Sequence, residues 1–231
     1  LFEQLCGARL LYNYIWPGGL SHDLPPNFIE HTIEFIDYFE PNIDELNDVL
    51  TTNKIFIERS ADVGILPSKV GINFGVSGPS LRGSGVNWDL RKNESYSVYE
   101  KFDFEIPVGK GEMGTVGDCW DRYNVRVLEM KESAKIIRQV CADLPEGDVH
   151  AALPKKIRPV PGEVYGRYES ARGDVGFYII SNGKNIPLRV KMRSPAFSNL
   201  SVLNEIAEGW MISDVIAILG SLDIVLGEID R

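Results

Sequence analysis

Apolar positions recur at helical spacing from residue 27 to residue 53. Phe28, Thr32, Phe35, Phe39, Ile43, Leu46 and Leu50 follow one another at steps of three and four, the pattern of a helix with one inward face. Pro25-Pro26-Asn27 supplies a start. Pro41 predicts a kink or a split, because proline lacks the N–H that the helix ladder needs. A longer stripe follows Asp118, a good N-cap. It consists of Trp120, Tyr123, Val127, Met130, Ala134, Ile137, Cys141 and Leu144. It is sustained over about seven turns at 3.6 residues each and needs a long partner. The spacing predicts that 27–53 is that partner and that the stripe is core.

The period changes elsewhere. Residues 61–117 are rich in Gly, Pro, Ser and Asn, as in Gly75-Val76-Ser77-Gly78-Pro79 and Arg82-Gly83-Ser84-Gly85. They show no periodicity. Trp88, Tyr96, Tyr99, Phe102 and Phe104 argue against disorder, so an ordered, irregular segment wrapped over the helices is expected. Residues 164–170, 177–181 and 186–193 are short β-prone runs. Arg172-Gly173-Asp174 and Asn182-Gly183 lie between them as turn signals. A three-stranded antiparallel meander over 164–193 follows, closed by Ser194-Pro195, with two short helical pieces near 199–208 and 210–219. The fold class is α+β, mostly α, with a small peripheral sheet.

Composition changes this picture little. The 231 residues suffice for one sizeable domain, and 44% hydrophobic with 25% charged residues is ordinary for a folded chain. The first residue is Leu1, which reads as a fragment or a processed chain. A net charge of −9 argues against nucleic-acid binding. Cys6, Cys119 and Cys141 are odd in number and far apart, so no disulfide framework is implied and a reducing compartment fits. Without a C-x-x-C pair there are no ligands for an iron–sulfur cluster or a structural zinc. Cys141, on the long stripe, reads as a small buried hydrophobe. The most apolar stretch, 210–226, is interrupted by Asp214, Gly220 and Asp223 and is too short and too charged for a membrane span.

His22, His31 and His150 have no metal-ligand spacing, and neither a P-loop, a G-x-S-x-G elbow nor a G-x-G-x-x-G run occurs. The C-terminal run Gly-Ser-Leu-Asp-Ile-Val-Leu-Gly-Glu-Ile-Asp-Arg is unusual. It sets Asp223, Glu228 and Asp230 among apolar residues. A carboxylate buried there must be paired or protonated. Two readings stand open: a structural cap or partner of an arginine such as Arg9 or Arg82, and a functional group.

Several blocks, in order, carry a resemblance. They are Gly7-Ala8-Arg9 with Tyr14, Pro17-Gly18-Gly19 and Asp23-Leu24-Pro25; Gly75-Val76-Ser77-Gly78-Pro79 with Leu81-Arg82; Gly85-Val86-Asn87-Trp88-Asp89-Leu90-Arg91; Gly117-Asp118-Cys119-Trp120-Asp121-Arg122-Tyr123; Arg193-Ser194-Pro195-Ala196-Phe197; and the C-terminal run itself, ending at Asp230-Arg231. Together they span nearly the whole chain. They resemble the C-terminal portion of the quinone-site subunit, the D subunit, of NADH-quinone oxidoreductases.

The resemblance implies a helical bundle like the large subunit of nickel–iron hydrogenases. It implies a place in the peripheral arm of respiratory complex I, on the cytoplasmic side of the inner membrane. The partners would be the other peripheral-arm subunits, the membrane-arm subunits and, above all, the small subunit with the terminal 4Fe–4S cluster. Quinone is the substrate in the cavity between the two. NAD and the iron–sulfur clusters belong to partner subunits, and this chain binds no metal or cofactor. Hydrogenases hold nickel on a C-terminal D-P-C-x-x-C motif. The matching stretch here is Asp223-Ile224-Val225-Leu226-Gly227-Glu228, so Val225 and Glu228 stand where thiolates would be.

The resemblance places Asp223 and Val225 at the quinone cavity, and Glu228, Asp230 and Arg231 as structural contacts near it. The family's main headgroup ligands, a His and a Tyr, belong to a region outside this sequence. Arg9 and Leu11 fall near the partner's cluster, with Arg9 either a cation favouring the reduced cluster or half of a structural ion pair. Many members carry His where this chain has Leu11. Leucine cannot couple protons to cluster reduction, which implies a lower-potential cluster without pH dependence, suited to menaquinone. Two alternatives remain in view: a related complex fed by ferredoxin or a deazaflavin, and a purely structural docking role.

Overall fold

A computed structural model describes residues 1–230. In chain order the elements are α1 (Phe2–Cys6), β1 (Ile15–Trp16), β2 (Gly19–Leu20), α2 (Phe28–Leu46), a π-helical turn (Asn47–Thr51), α3 (Lys54–Ser60), α4 (Ser68–Phe74), α5 (Gly78–Gly83) and α6 (Leu90–Asn93). A 3-10 turn (Tyr99–Lys101) leads to α7 (Cys119–Ala142). The chain then forms β3 (Gly162–Ser170), β4 (Gly173–Ser181), β5 (Arg189–Arg193), α8 (Pro195–Ser201), α9 (Leu203–Ala207), α10 (Ile212–Leu222) and α11 (Leu226–Ile229). The mostly helical α+β class expected from the sequence is what forms.

Helix α7 organises the rest. Asp118 caps it as expected. Its Oδ1 accepts the Asp121 N–H at 2.8 Å and its Oδ2 accepts the Asp62 N–H at 2.8 Å, so the cap also ties down the 61–66 segment. The predicted partner is found: α2 lies along α7, with Ile36 and Ile43 buried. Arg138 bridges to Asp37 at 2.7 Å and Glu40 at 2.6 Å, and Lys131 to Asp44 at 2.7 Å. These surface pairs register the two helices more than they stabilise them.

Three expectations need correction. Pro41 does not split its helix, which runs unbroken through Leu46. The Asn42 side chain donates to the Tyr38 carbonyl, so a side chain serves the backbone beside the missing N–H. The interruption comes later, as the π-helical turn. Second, the long stripe is core only in part. Trp120, Val127 and Ala134 are buried, but Met130, Ile137 and Leu144 are more than a third exposed and Cys141 is half-buried. The buried face of α7 instead includes Asp121 and Arg122. Third, residues 61–117 are ordered as expected but not irregular throughout: α4, α5 and α6 form within them. Gly78-Pro79 opens α5, where proline at a helix start costs nothing. Gly78 is needed because its φ is 66° and a Cβ there would lie 2.4 Å from the Arg172 carbonyl oxygen.

The meander forms with order β3-β4-β5, antiparallel throughout. Ser170 pairs with Gly173, so only Ala171 and Arg172 make the first turn, while Gly176 pairs with Arg193 across β4 and β5. Polar bonds dock the sheet on the helices. The Asp174 N–H donates to Ser77 Oγ at 3.1 Å, Asn199 Nδ2 donates to the Arg172 carbonyl at 3.2 Å, and Arg193 Nη2 donates to the Gly75 carbonyl at 2.7 Å. Beneath them Leu66, Val76, Leu81, Cys119, Val202, Ile206, Ile218 and Leu222 form an apolar core. Arg122 staples this core. Its Nε donates to Ser221 Oγ at 2.9 Å and its Nη2 to the Gly64 carbonyl at 2.9 Å. Its guanidinium also reaches the Gly117 carbonyl and, at 3.2 Å, Cys119 Sγ. Burial pushes its pKa down, against the opposing pull of Cys119, Asp118 and Asp121. Among the described residues no helix is long and apolar enough to cross a membrane.

Candidate functional site where three cavities meet

The C-terminal run begins where α10 ends. Asp223 takes the left-handed conformation, φ 53° and ψ 54°, and its N–H donates to the Gly220 carbonyl at 3.1 Å. This is a helix C-terminus of the kind that favours Gly or Asn. The turn aims the Asp223 carboxylate between two arginines. Arg172 Nη2, from the sheet hairpin, donates to Oδ1 at 3.3 Å, and Arg126 Nε, from α7, lies 3.5 Å from Oδ2. The carboxylate is paired, but it is not buried as the apolar run suggested: its side chain is 37% exposed. Its partners are neither Arg9 nor Arg82. Arg9 pairs with Glu3 at 3.0 Å on the surface, and Arg82 is buried in a separate network.

Asp223 stands on the wall between two hollows. The first, about 550 Å³, runs between α2 and α7. Its apolar side carries Phe35, Phe39, Met130 and Ile137, and its polar end carries Arg82, Arg126, Glu129 and Glu169. Two of the stripe residues that stayed out of the core, Met130 and Ile137, line this hollow. The second, about 450 Å³, is bounded by Phe56, Cys119, Tyr123 and Ser221, and shares Arg126 and Asp223 with the first. Val225 lies elsewhere. It caps α11, is 38% exposed, and lines a third hollow of about 720 Å³ with Arg172, Phe177, Met192 and Glu228. The structure therefore does not bring Asp223 and Val225 into one cavity. Arg172 links them, bonding Asp223 while lining the hollow of Val225. All three volumes fall in the range that holds small organic ligands.

Charge is concentrated at the polar end. Arg82 is 1% exposed and donates Nε to Glu129 at 2.6 Å and Nη1 to Glu169 at 2.8 Å, with Asp89 at 3.3 Å. Burial lifts the Glu169 carboxyl above the usual range despite the charge of Arg82. Burial acts on Asp89 too, but its hydrogen bonds to Arg91 and the charges of Arg82 and Arg91 outweigh it and hold the carboxyl low. Burial brings Arg126 down to about 10, against the pull of Asp223 and with the push of Arg122. It stays cationic at neutral pH.

A family described as "Respiratory-chain NADH dehydrogenase, 49 Kd subunit" matches residues 1–160 and 151–231. The chain belongs to this 49 kDa subunit family. The D subunit of the NADH-quinone oxidoreductase of Chlorobaculum tepidum is 53% identical over 100% of the chain, and that of Chlorobaculum parvum is also 53% identical. A D subunit of the NADH-quinone oxidoreductase of Cytophaga hutchinsonii is 52% identical over 239 residues. The chain spans 59% of the length of the two Chlorobaculum relatives and 61% of the third. The resemblance read from the motifs is thereby borne out.

The other family-derived positions lie away from Asp223. Arg9 and Leu11 sit in the loop between α1 and β1, and Leu11 is 90% exposed with the exposed Leu10 and Ile15 near it in sequence. In α11 the Glu228 N–H donates to the Val225 carbonyl at 3.0 Å and the Asp230 N–H to the Leu226 carbonyl at 3.2 Å. Arg231 lies outside the described residues. Sequence reasoning missed Arg126, Arg172, Glu129 and the Arg82 network. One signal was available: Arg122, Arg126 and Glu129 follow at steps of four and three, a charged stripe beside the apolar one.

Proposed function

We propose that this chain forms part of the quinone-reduction cavity of a proton-translocating NADH:quinone oxidoreductase, next to the terminal 4Fe–4S cluster of a partner subunit. One observation carries the reading. The C-terminal run that matches the metal-binding end of hydrogenases presents Asp223, held by two arginines, at the polar end of a hollow whose other side is aromatic and aliphatic. A quinone needs that combination: apolar walls for ring and tail, and a few fixed polar groups at the carbonyls. Its reduction to quinol takes two electrons and two protons. The electrons come from the partner's cluster, since cofactor chemistry in this family resides on other subunits. This chain's contribution is to shape the cavity, exclude water and fix charge. The Leu10, Leu11 and Ile15 surface is read as facing the partner, with Arg9 beside it.

The test uses membranes carrying the complete enzyme with Asp223→Asn or Val225→Met. Inhibitor-sensitive NADH:quinone activity is compared with NADH oxidation by an artificial acceptor that bypasses quinone. Loss or inhibitor resistance in the first assay with the second intact supports the reading. Wild-type rates and inhibitor sensitivity in both variants return Asp223 to a purely structural pair. Membranes that ignore NADH but accept electrons from ferredoxin or a deazaflavin assign the chain to the related complex.

A further inference from the structure

Asp223 and Val225 line different hollows, yet one side chain serves both walls. Arg172 donates Nη2 to Asp223 Oδ1 at 3.3 Å and lines the hollow of Val225 and Glu228. The backbone of Arg172 is held from three elements. In β3, Ser170 Oγ accepts the Arg172 N–H at 3.2 Å across the two-residue turn. In α8, Asn199 donates Nδ2 to the Arg172 carbonyl at 3.2 Å and accepts the Ser77 N–H through Oδ1 at 3.1 Å. Asn199 is buried, so this link lies inside the fold. In α5, Gly78 presses so closely on the same carbonyl that no Cβ fits between them. The guanidinium therefore reaches out from a fixed point. Asp223 starts from an equally defined place, the left-handed end of α10.

The two arginines beside the carboxylate differ in what they can do. Arg126 is committed to other acceptors: Nη1 donates to the Arg122 carbonyl, and Nη2 to Ser80 Oγ at 3.2 Å. Its Nε lies 3.5 Å from Asp223 Oδ2, too far for a well-directed hydrogen bond but close enough for Coulomb attraction. Arg172 supplies the directional bond. Charge alone leaves a carboxylate free to turn, whereas a donor fixed at one oxygen selects an orientation. We propose that Arg172 is a positioning residue for quinone reduction. It orients the Asp223 carboxylate at the cavity wall and ties that wall to the sheet side of the Val225 hollow. The proposal rests on the quinone-cavity reading. Arg172 touches no quinone in this scheme; its effect passes through Asp223.

The experiment is a double-substitution cycle in membranes carrying the complete enzyme. Inhibitor-sensitive NADH:quinone activity is read against NADH oxidation by an artificial acceptor. Arg172→Gln removes the cation. The expected result is about a tenfold loss of quinone activity, the scale of one hydrogen bond to a charged group, with the artificial-acceptor rate intact. In the Asp223→Asn background Arg172→Gln should cost nothing further, because residues that act as one unit are not additive. Arg172→Lys should recover most of the loss, since one nitrogen makes the contact and an ammonium can replace it. Three results overturn the proposal and leave the cavity reading standing: losses that multiply in the double variant, Lys no better than Gln, and a clear loss in Asp223→Asn with none in Arg172→Gln. Full quinone activity in Asp223→Asn also overturns it. Joined by wild-type rates and inhibitor sensitivity in Val225→Met, that result removes the cavity reading as well. Should Arg172→Gln fail to assemble, Arg172→Met, which keeps the apolar stem, goes through the same cycle. Failure of both to assemble makes Arg172 a structural support and overturns the positioning role.

Discussion

Arg172 Nη2 donates to Asp223 Oδ1 at 3.3 Å, joining the tip of the sheet hairpin to the end of α10 across 51 residues of chain. The contact depends on two features of Asp223 at once, its charge and its left-handed backbone. The two can be separated by substitution. Asp223→Gly relieves the backbone and deletes the carboxylate, Asp223→Asn keeps the shape and a tolerated left-handed residue, and Asp223→Ala loses charge and retains strain. We expect Asn and Gly to fold nearly as well as the wild type. Ala should be less stable than Gly by about 1–2 kcal/mol, the cost of the left-handed conformation for a residue with a Cβ. Urea unfolding of the three variants checks the order.

Arg122 should be the least replaceable side chain of the helical core. It holds the Gly64 and Gly117 carbonyls, Ser221 and Cys119 together. Arg122→Met leaves those acceptors buried without donors, and the expected loss is about 3–5 kcal/mol. Arg122→Lys offers a single ammonium in place of a fork and should recover only part of it. Comparable stability of the Met variant and the wild type in chemical denaturation contradicts the stapling role.

The Arg82 network predicts a pH dependence with a definite sign. Asp89 has its folded pKa held below the ordinary carboxylate value of about 3.9. Its contribution to stability is therefore present above that value and is lost as pH falls through the depressed folded pKa. Asp89→Asn should lower stability at neutral pH and flatten the acid limb of the stability curve. Glu169 has the opposite shift, upward, so its contribution is present at low pH and is lost as pH rises through its folded pKa. Unfolding midpoints of the wild type, Asp89→Asn and Glu169→Gln between about pH 3 and pH 7 read the two slopes directly.

Leu11 carries the redox prediction. On the proposal that Leu11 faces the partner's cluster, its side chain holds no proton there, and the cluster's midpoint potential should be independent of pH between about 6 and 8. Leu11→His in the complete enzyme should introduce a slope of up to about 59 mV per pH unit, the limit for one proton per electron. Potentiometric titration across pH decides this. A strong slope in the unsubstituted enzyme sinks the idea.

Much of the architecture was legible in the pattern of apolar positions. The α2–α7 pair, the Asp118 cap and the antiparallel meander were each set by local periodicity or local hydrogen bonding, which sequence spacing reports well. Misreadings arose where burial was not apolar. Gly78-Pro79 belongs to a stretch without periodicity, yet it opens α5: close approach of the Arg172 backbone demands Gly there and a helix start accepts Pro. Met130 and Ile137 were read as core because an apolar residue facing a cavity has the same spacing as one facing a neighbour. Arg82, Arg122 and Glu169 stayed hidden because a charged residue gives no periodicity of its own when its partners lie far along the chain. The candidate site was suggested only by motif resemblance, which pointed to Asp223 and Val225; the structure sets these two in different hollows, and Arg126 and Arg172 beside Asp223 gave no such signal.

The most direct test of a quinone cavity at the Asp223 wall is covalent. A quinone analogue with a photoreactive headgroup is bound to the complete enzyme, irradiated and mapped by peptide mass. The account predicts label, displaced by excess quinone, on the α7 segment containing Glu129 and Met130 or on the 220–228 segment. Displaceable label found solely on other subunits or on distant parts of this chain, with these two segments unlabelled, contradicts it.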